Sequence, residues 1–256
     1  MSLLRVVWVG YVMQVKLRSR SAFDGALSII WPLFFSTTAF LVVRQTGDAD
    51  ALVATAVGAA VMGVWSSTST TAAGALQRER REGTLELLVA APAPFVVVML
   101  PFTLAMATVG SYSMVATLLW GRVLFGIEVS LASPALLLVA VPVTVASIGM
   151  LGFLLAMASV RYRHAWAIGN ATEYPIWLIC GFLVPLAALP GWVRPISWLL
   201  APTWGVEAIR DATLGGSPWL DLTRCLVLAL GYGLIGVFLA RVMLRSAREH
   251  ATLALS

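Results

Sequence analysis

Long, mostly apolar runs without charge alternate with short clusters of charged residues along the whole chain. A transmembrane helix needs roughly 20 apolar residues, and six runs reach or approach that length. The fifth run is interrupted by Glu173, and the last has a charge-free core of only 16 residues, 225–240. Helices are the expected form because every backbone polar group in lipid must be satisfied within the protein. The pattern predicts an all-α polytopic membrane protein with six spans, at about 25–43, 51–76, 95–119, 134–160, 165–189 and 219–244.

The first 22 residues are predicted to form a separate element. Residues 6–15 are apolar but too short to span a membrane, and basic residues follow them instead of a small-residue cleavage site. We therefore expect a helix over 2–22 that lies at the membrane interface.

Composition and charge agree with this assignment and add an orientation. The chain is 60% hydrophobic and 11% charged, whereas about a quarter of the residues in a soluble domain are charged. Twelve of the 17 Lys and Arg residues lie near the termini or in the loops on the same predicted side. The positive-inside rule then predicts a protein of the cell membrane with both termini in the cytoplasm. The net charge of +5 thus reflects topology, and nucleic acid is not an expected partner.

Several enzyme sites are excluded by residues that the sequence lacks. The single lysine, Lys16, is not part of a phosphate-binding loop, so the chain carries no Walker-type ATPase site. Neither a His-Glu-x-x-His motif nor a Gly-x-Ser-x-Gly motif occurs. Cys180 and Cys225 have no ligand or pairing spacing, and we interpret them as small packing residues. We predict no catalytic residue, no metal site and no cofactor in this chain.

The densest group of charges lies between predicted spans 2 and 3. In a helix its glutamates would share one face, where their mutual repulsion favours a basic partner. The alternative is a solvated loop that follows the positive-inside rule. We name the residues of this group the coupling cluster: Arg78, Glu79, Arg80, Arg81, Glu82, Gly83, Thr84 and Glu86.

Two segments carry a resemblance to a known family. Residues 79–88, Glu-Arg-Arg-Glu-Gly-Thr-Leu-Glu-Leu-Leu, with Ala91-Pro92 after them, resemble the signature between spans 2 and 3 of type 2 ABC exporter permeases. Residues 201–211, from Ala-Pro-Thr-Trp-Gly to Arg-Asp, resemble the segment before the last span in drug and polysaccharide exporters of that family.

The resemblance implies a coupling helix within 77–90 and two partners. A separate ATPase, present in two copies, would bind ATP and Mg and dock on the coupling cluster. A second permease, identical or related, would complete the path through the membrane lipids. The resemblance also implies short re-entrant helices within 191–216 that cap the path on the outside. An ordinary amphipathic loop is the alternative for this segment, whose candidate residues are Trp198, Pro202, Trp204, Glu207, Arg210 and Asp211.

A third group of residues offers candidates for the path itself. Glu173 is costly within a span, and we expect it to pair with Arg161 or Arg163, or to contact substrate. Aromatic residues in span 1 either form a wall for an amphipathic substrate or face lipid. The path candidates are Trp31, Phe34, Phe35, Asn170, Glu173 and Tyr174.

The leading functional prediction is the permease of an ATP-driven exporter for a hydrophobic or amphipathic compound, such as a drug or natural product. Export of a lipid-linked glycan by the same machinery is an alternative. An ion-coupled secondary transporter is a different class, which predicts inverted repeats and paired ionisable residues near the midplane.

Overall fold

The computed structural model describes residues 3–20, 22–81, 83, 94–128, 132–159, 165–186 and 189–250. Within these ranges the regular structure is entirely helical. The helices, in chain order, are α1 (Leu3–Ser19), α2 (Ala22–Arg44), α3 (Ala49–Arg81), α4 (Phe95–Phe125), α5 (Pro134–Ser159), α6 (Ala165–Ile179), α7 (Arg194–Trp198), α8 (Ala201–Leu214) and α9 (Trp219–His250).

Four helices in the described part of the chain are long and apolar enough to cross a membrane. The qualifying segments lie in α3, α4, α5 and α9: Ala49–Thr70, Phe95–Phe125, Pro134–Ala158 and Trp219–Val242. A shorter apolar segment, Ile29–Arg44, lies in α2 at the position of predicted span 1. The all-helical, multi-span architecture is confirmed, whereas the count of six spans stays a prediction.

Helix α6 is shorter than the predicted span 165–189, because a glycine ends it at Ile179. Gly181 has a φ of 73°, a left-handed conformation that glycine adopts without steric cost. Its N–H donates to the carbonyl of Leu178, and the N–H of Phe182 donates to the carbonyl of Trp177, each at 3.1 Å. These two bonds form the Schellman arrangement that closes a helix. The backbone therefore turns at a point where the apolar sequence continues.

Helix α3 is the centre of the packing. It contacts α4 most extensively, and it also packs against α2, α5, α6 and α8. Every residue from 55 to 69 is buried, which explains why this segment carries small and hydroxyl side chains. The Asp48 carboxylate begins the helix by accepting hydrogen bonds from the N–H groups of Asp50 and Ala51, at 3.0 and 3.1 Å.

The remaining helices pack around this centre in two groups. Helix α1, at the position of the predicted interfacial helix, packs along α4, where the Tyr11 and Thr108 hydroxyls are 2.9 Å apart and the Arg18 guanidinium lies 5.6 Å from the Phe102 ring centroid. Helices α5, α8 and α9 contact one another pairwise. Helix α8 thereby becomes an internal element, with ten of its 14 residues buried.

Candidate functional site

Prolines divide the segment between α6 and α9 into two short helices, as the sequence pattern indicates. Pro195 lies in the first turn of α7, and Pro202 lies in the first turn of α8, where a proline costs no helical hydrogen bond. Gly215, with a φ of 88°, ends α8 and donates its N–H to the carbonyl of Asp211 at 3.0 Å. The predicted re-entrant segment is thus helical, although its position relative to a membrane stays a prediction.

A buried arginine on α8 connects three separate parts of the chain. Arg210 is 5% exposed. Its Nε donates to the carbonyl of Ala54 on α3 at 3.0 Å. Its Nη2 donates to the carbonyl of Gly181 at 2.8 Å, with Phe182 at 3.4 Å. Its Nη1 bonds the Glu207 carboxylate at 2.8 Å. We call these five residues the Arg210 network.

The Arg210 network explains how a charged side chain is tolerated in the protein interior. Burial lowers the pKa of Arg210, and the neighbouring Glu207 carboxylate opposes that shift. A guanidinium remains charged in proteins because its intrinsic pKa is so high. Its donors point to carbonyl groups that the Schellman turn leaves available after α6. Burial of the charge is therefore compensated by hydrogen bonds on three sides.

A glycine on α3 allows the close approach that the network needs. A Cβ built on Gly58 would overlap the Phe182 carbonyl oxygen and would lie 2.7 Å from Arg210 Nη2. Gly58 is one helical turn after Ala54, so the two residues present the same face of α3 to α8 and to the turn after α6.

Further contacts tie the two short helices to their neighbours. The Ser197 hydroxyl donates to the carbonyl of Ile179 at 2.6 Å. The Trp204 indole donates to the carbonyl of Trp198 at 3.0 Å. The Arg224 guanidinium of α9 lies 4.4 Å from the ring centroid of Trp204. The candidates of the predicted re-entrant segment thus belong to one connected structure: Trp198, Pro202, Trp204, Glu207 and Arg210.

The roles of two residues in this region, Asp211 and Tyr232, differ from what the sequence predicts. Asp211 contributes its backbone carbonyl to the end of α8, and among the described residues its carboxylate forms no ion pair with Arg210. Tyr232 of α9, which the sequence did not single out, donates to the carbonyl of Leu199 and accepts from the N–H of Ala201 at 2.9 Å. Tyr232 thereby fixes the junction between α7 and α8.

The path candidates on α2 and α6 come together as one aromatic cluster. The ring of Phe35 lies 4.9 Å from Trp177 and 6.0 Å from Tyr174, centroid to centroid. Phe34 and Trp31 lie 5.6 and 6.3 Å from Phe35. Trp177 is buried and Phe35 is half-buried, whereas Trp31, Phe34 and Tyr174 are exposed. Trp177 was missed, although its spacing of three from Tyr174 places both residues on one face of α6.

The polar path candidates lie on the same helix. Asn170 and Glu173 are half-buried on α6 and are three residues apart. The Glu173 carboxylate lies near the hydroxyl of Ser66 on α3, although the Ser66 hydroxyl completes no hydrogen bond among the described residues. The predicted partners Arg161 and Arg163 lie outside the described residues.

A comparison with protein families identifies the chain. A family model described as ABC-2 type transporter matches residues 5–214. This chain belongs to the ABC-2 type transporter family. The match runs from α1 to the last residue of α8, and it therefore includes both the Arg210 network and the aromatic cluster. No curated protein matches the chain.

Membership of the ABC-2 family makes the chain a multi-pass membrane permease and not an ATPase. Permeases of this family typically work with an ATPase partner. In this ABC-2 permease, α3 continues through Arg81, so Arg78, Glu79, Arg80 and Arg81 form its last turn. Gly83 has a φ of 69°, which is typical of a residue that follows a helix end. Glu82, Thr84 and Glu86, with the remainder of 84–90, lie outside the described residues.

Proposed function

We propose that this chain is the membrane permease of an ATP-driven exporter that moves a hydrophobic or amphipathic compound out of the cytoplasm. The observation that carries the proposal is the ABC-2 family match over residues 5–214. Two copies of a separate ATPase bind ATP and Mg, and a second permease subunit completes the path. The protein lies in the cell membrane, with both termini in the cytoplasm.

The course of α3 supports a mechanism for coupling. This helix has 33 residues and is therefore roughly 50 Å long. One end carries Arg78–Arg81 of the coupling cluster, and the opposite part of the helix carries Ala54 of the Arg210 network and the neighbouring Gly58. We infer that an ATPase docked at the coupling cluster moves α3 as a rigid rod. Such a movement biases the permease only if the ATPase contacts its two states differently.

The aromatic cluster supports an amphipathic cargo. Its exposed rings offer apolar surface with a negative π face, and Glu173 and Asn170 place polar groups beside it. The cluster lies between α2 and α6, which both contact the central helix α3. We therefore assign the path to this face, next to the helix that carries the coupling cluster.

A reconstitution experiment tests the proposed function. The permease and its candidate ATPase are placed together in vesicles, and uptake of a labelled amphipathic compound is measured with ATP or with an ion gradient. We expect transport only with ATP, and none with an ATPase variant that binds ATP without hydrolysing it. Transport driven by an ion gradient through the permease alone would assign the chain to the secondary transporters and overturn the proposal.

Replacing Phe34 with alanine should lower ATP-driven transport several-fold at limiting substrate, because the exposed wall of the aromatic cluster loses a ring. Phe238→Ala on α9 is a matched control, since the side chains are 63% and 64% exposed. It should leave transport within a factor of about two. The substrate concentration for half-maximal transport distinguishes weaker binding from slower turnover. Equal effects of both substitutions would remove the aromatic cluster from the path.

A further inference from the structure

Glu173 and Trp177, the buried residue of the aromatic cluster, lie on one face of α6. Glu173 and Trp177 are four residues apart, and this spacing places them side by side on a helix. Trp177 is 3% exposed, and its ring contacts Phe35 and Tyr174, with centroids 4.9 Å away in both cases. A carboxylate therefore lies next to a group of aromatic rings, between α2, α3 and α6.

Two buried polar groups at this point complete no hydrogen bond among the described residues. They are the indole N–H of Trp177 and the hydroxyl of Ser66, which lies near the Glu173 carboxylate. Buried polar groups are nearly always hydrogen-bonded, so each exception requires an explanation. Groups of this kind near a carboxylate and several rings are expected where a ligand or its hydration shell enters.

The charge of Glu173 requires compensation as well. The ion pairs between described side chains are Glu207 with Arg210 and Asp221 with Arg224, so no described cation serves Glu173. A carboxylate within a span usually meets a partner or a water-filled cavity. Aromatic faces attract cations as well, through the negative charge of their π systems. The two kinds of group therefore favour the same ligand charge.

We propose that Glu173, Phe35, Tyr174 and Trp177 form a binding site for an organic cation, a protonated amine or quaternary ammonium carried on an apolar body. We call these four residues the cation site. The inference deepens the proposed function and rests on it, because it names the class of compound that the exporter moves. The exposed rings of Trp31 and Phe34 would contact the apolar body.

The same chemistry disfavours the alternative cargo. A glycan linked to lipid through phosphate groups brings negative charge to the site, where Glu173 would repel it. Stacking on the aromatic rings would not compensate for this repulsion in a poorly hydrated environment. The cation site thus predicts discrimination by charge between ligands of the same size.

Two hydrophobic ions of nearly identical shape test this discrimination. Binding of tetraphenylphosphonium and, separately, of tetraphenylborate is measured on the purified full-length permease in a neutral detergent, without an ATPase. We expect the wild-type protein to bind the cation more tightly than the anion. Glu173→Gln should weaken cation binding roughly tenfold, because a partly screened charge contact is lost. Anion binding should stay unchanged or improve.

Matched variants separate the cation site from a structural role. Glu128→Gln removes an exposed carboxylate after α4 and should change neither affinity. Tyr174→Leu should weaken cation binding several-fold and anion binding less. If Glu173 instead pairs with Arg161 or Arg163 for structural reasons, Glu173→Gln will lower the unfolding temperature and alter the binding of both ions equally. That result, or a wild-type protein without preference for the cation, overturns the inference.

The binding measurement is independent of ATP and of transport. Loss of the cation preference would leave an ATP-driven exporter with another cargo. Failure of ATP-driven transport would leave the measured cation site in place and would refute the proposed function alone.

Discussion

Replacing Arg210 with methionine should lower the unfolding temperature of the purified permease by on the order of 10 °C. The substitution keeps an unbranched side chain but removes every donor of the Arg210 network. The carbonyl groups of Ala54 and Gly181 and the Glu207 carboxylate would then lack their partner. Breaking a buried pair from one side typically costs about 3–5 kcal/mol, and 1 kcal/mol corresponds to about 2–4 °C in a chain of this size.

Arg224→Met is the matched control for this prediction. Arg224 also pairs with an acidic residue three positions earlier, Asp221, at 3.3 Å, but its side chain is 45% exposed whereas that of Arg210 is 6% exposed. Exposed ion pairs contribute about 0–1 kcal/mol, and the contact of Arg224 with the Trp204 ring contributes about 0.5–1 kcal/mol. This variant should therefore lower the unfolding temperature by less than half as much as Arg210→Met. Thermal unfolding of the detergent-solubilised proteins measures both. Equal shifts for the two variants would mean that the Arg210 network does not hold α8 against α3.

The sequence predicts much of the local structure because local rules determine it. The charge gaps locate α3, α4, α5 and α9 at predicted spans, and prolines mark the first turns of α7 and α8. Hydroxyl side chains in membrane helices commonly bond their own backbone, and Thr68 and Thr70 of α3 donate to carbonyl groups four residues earlier at 2.7 Å. Each of these features depends on residues within about one turn of one another.

The Arg210 network could not be predicted in the same way. The sequence marks Arg210 as a charged residue of the predicted re-entrant segment, but its partners Ala54 and Gly181 lie 156 and 29 positions away. They contribute backbone carbonyl groups, which every residue has, so no side-chain pattern marks them. The end of α6 carried a weak local signal, since Gly181 interrupts an apolar run. Glycine is common enough in membrane helices that this signal does not indicate a helix end by itself.

The aromatic cluster could be predicted from the sequence only in part. The individual residues of α2 and α6 were predicted as path candidates, but their contact depends on how both helices pack around α3. Periodicity relates Tyr174 to Trp177 within α6, whereas no rule of spacing relates either residue to Phe35. A tertiary contact therefore turned two separate groups of candidates into one surface.

Reversing two charges in the coupling cluster should abolish ATP-driven transport. In the double variant Glu82→Lys and Glu86→Lys, like charges would face the basic surface that we propose on the ATPase. Contacts between charges across an interface contribute strongly to the specificity and rate of association. We expect at least tenfold weaker binding of the ATPase and transport at the background level. Binding is measured by co-purification and titration, and transport is measured in vesicles with ATP.

A second double variant controls for the change in net charge. Asp50→Lys with Glu128→Lys alters the same number of acidic residues, and both positions are exposed at helix ends away from the coupling cluster. It should retain ATPase binding, because helix-end charges of this kind affect stability by only about 0.3–1 kcal/mol. The cation site supplies an internal check, since tetraphenylphosphonium binding should survive reversal at Glu82 and Glu86. If the variant with Glu82→Lys and Glu86→Lys keeps both ATPase binding and transport, docking must occur elsewhere. In that case α3 would not be the element that receives the ATPase movement.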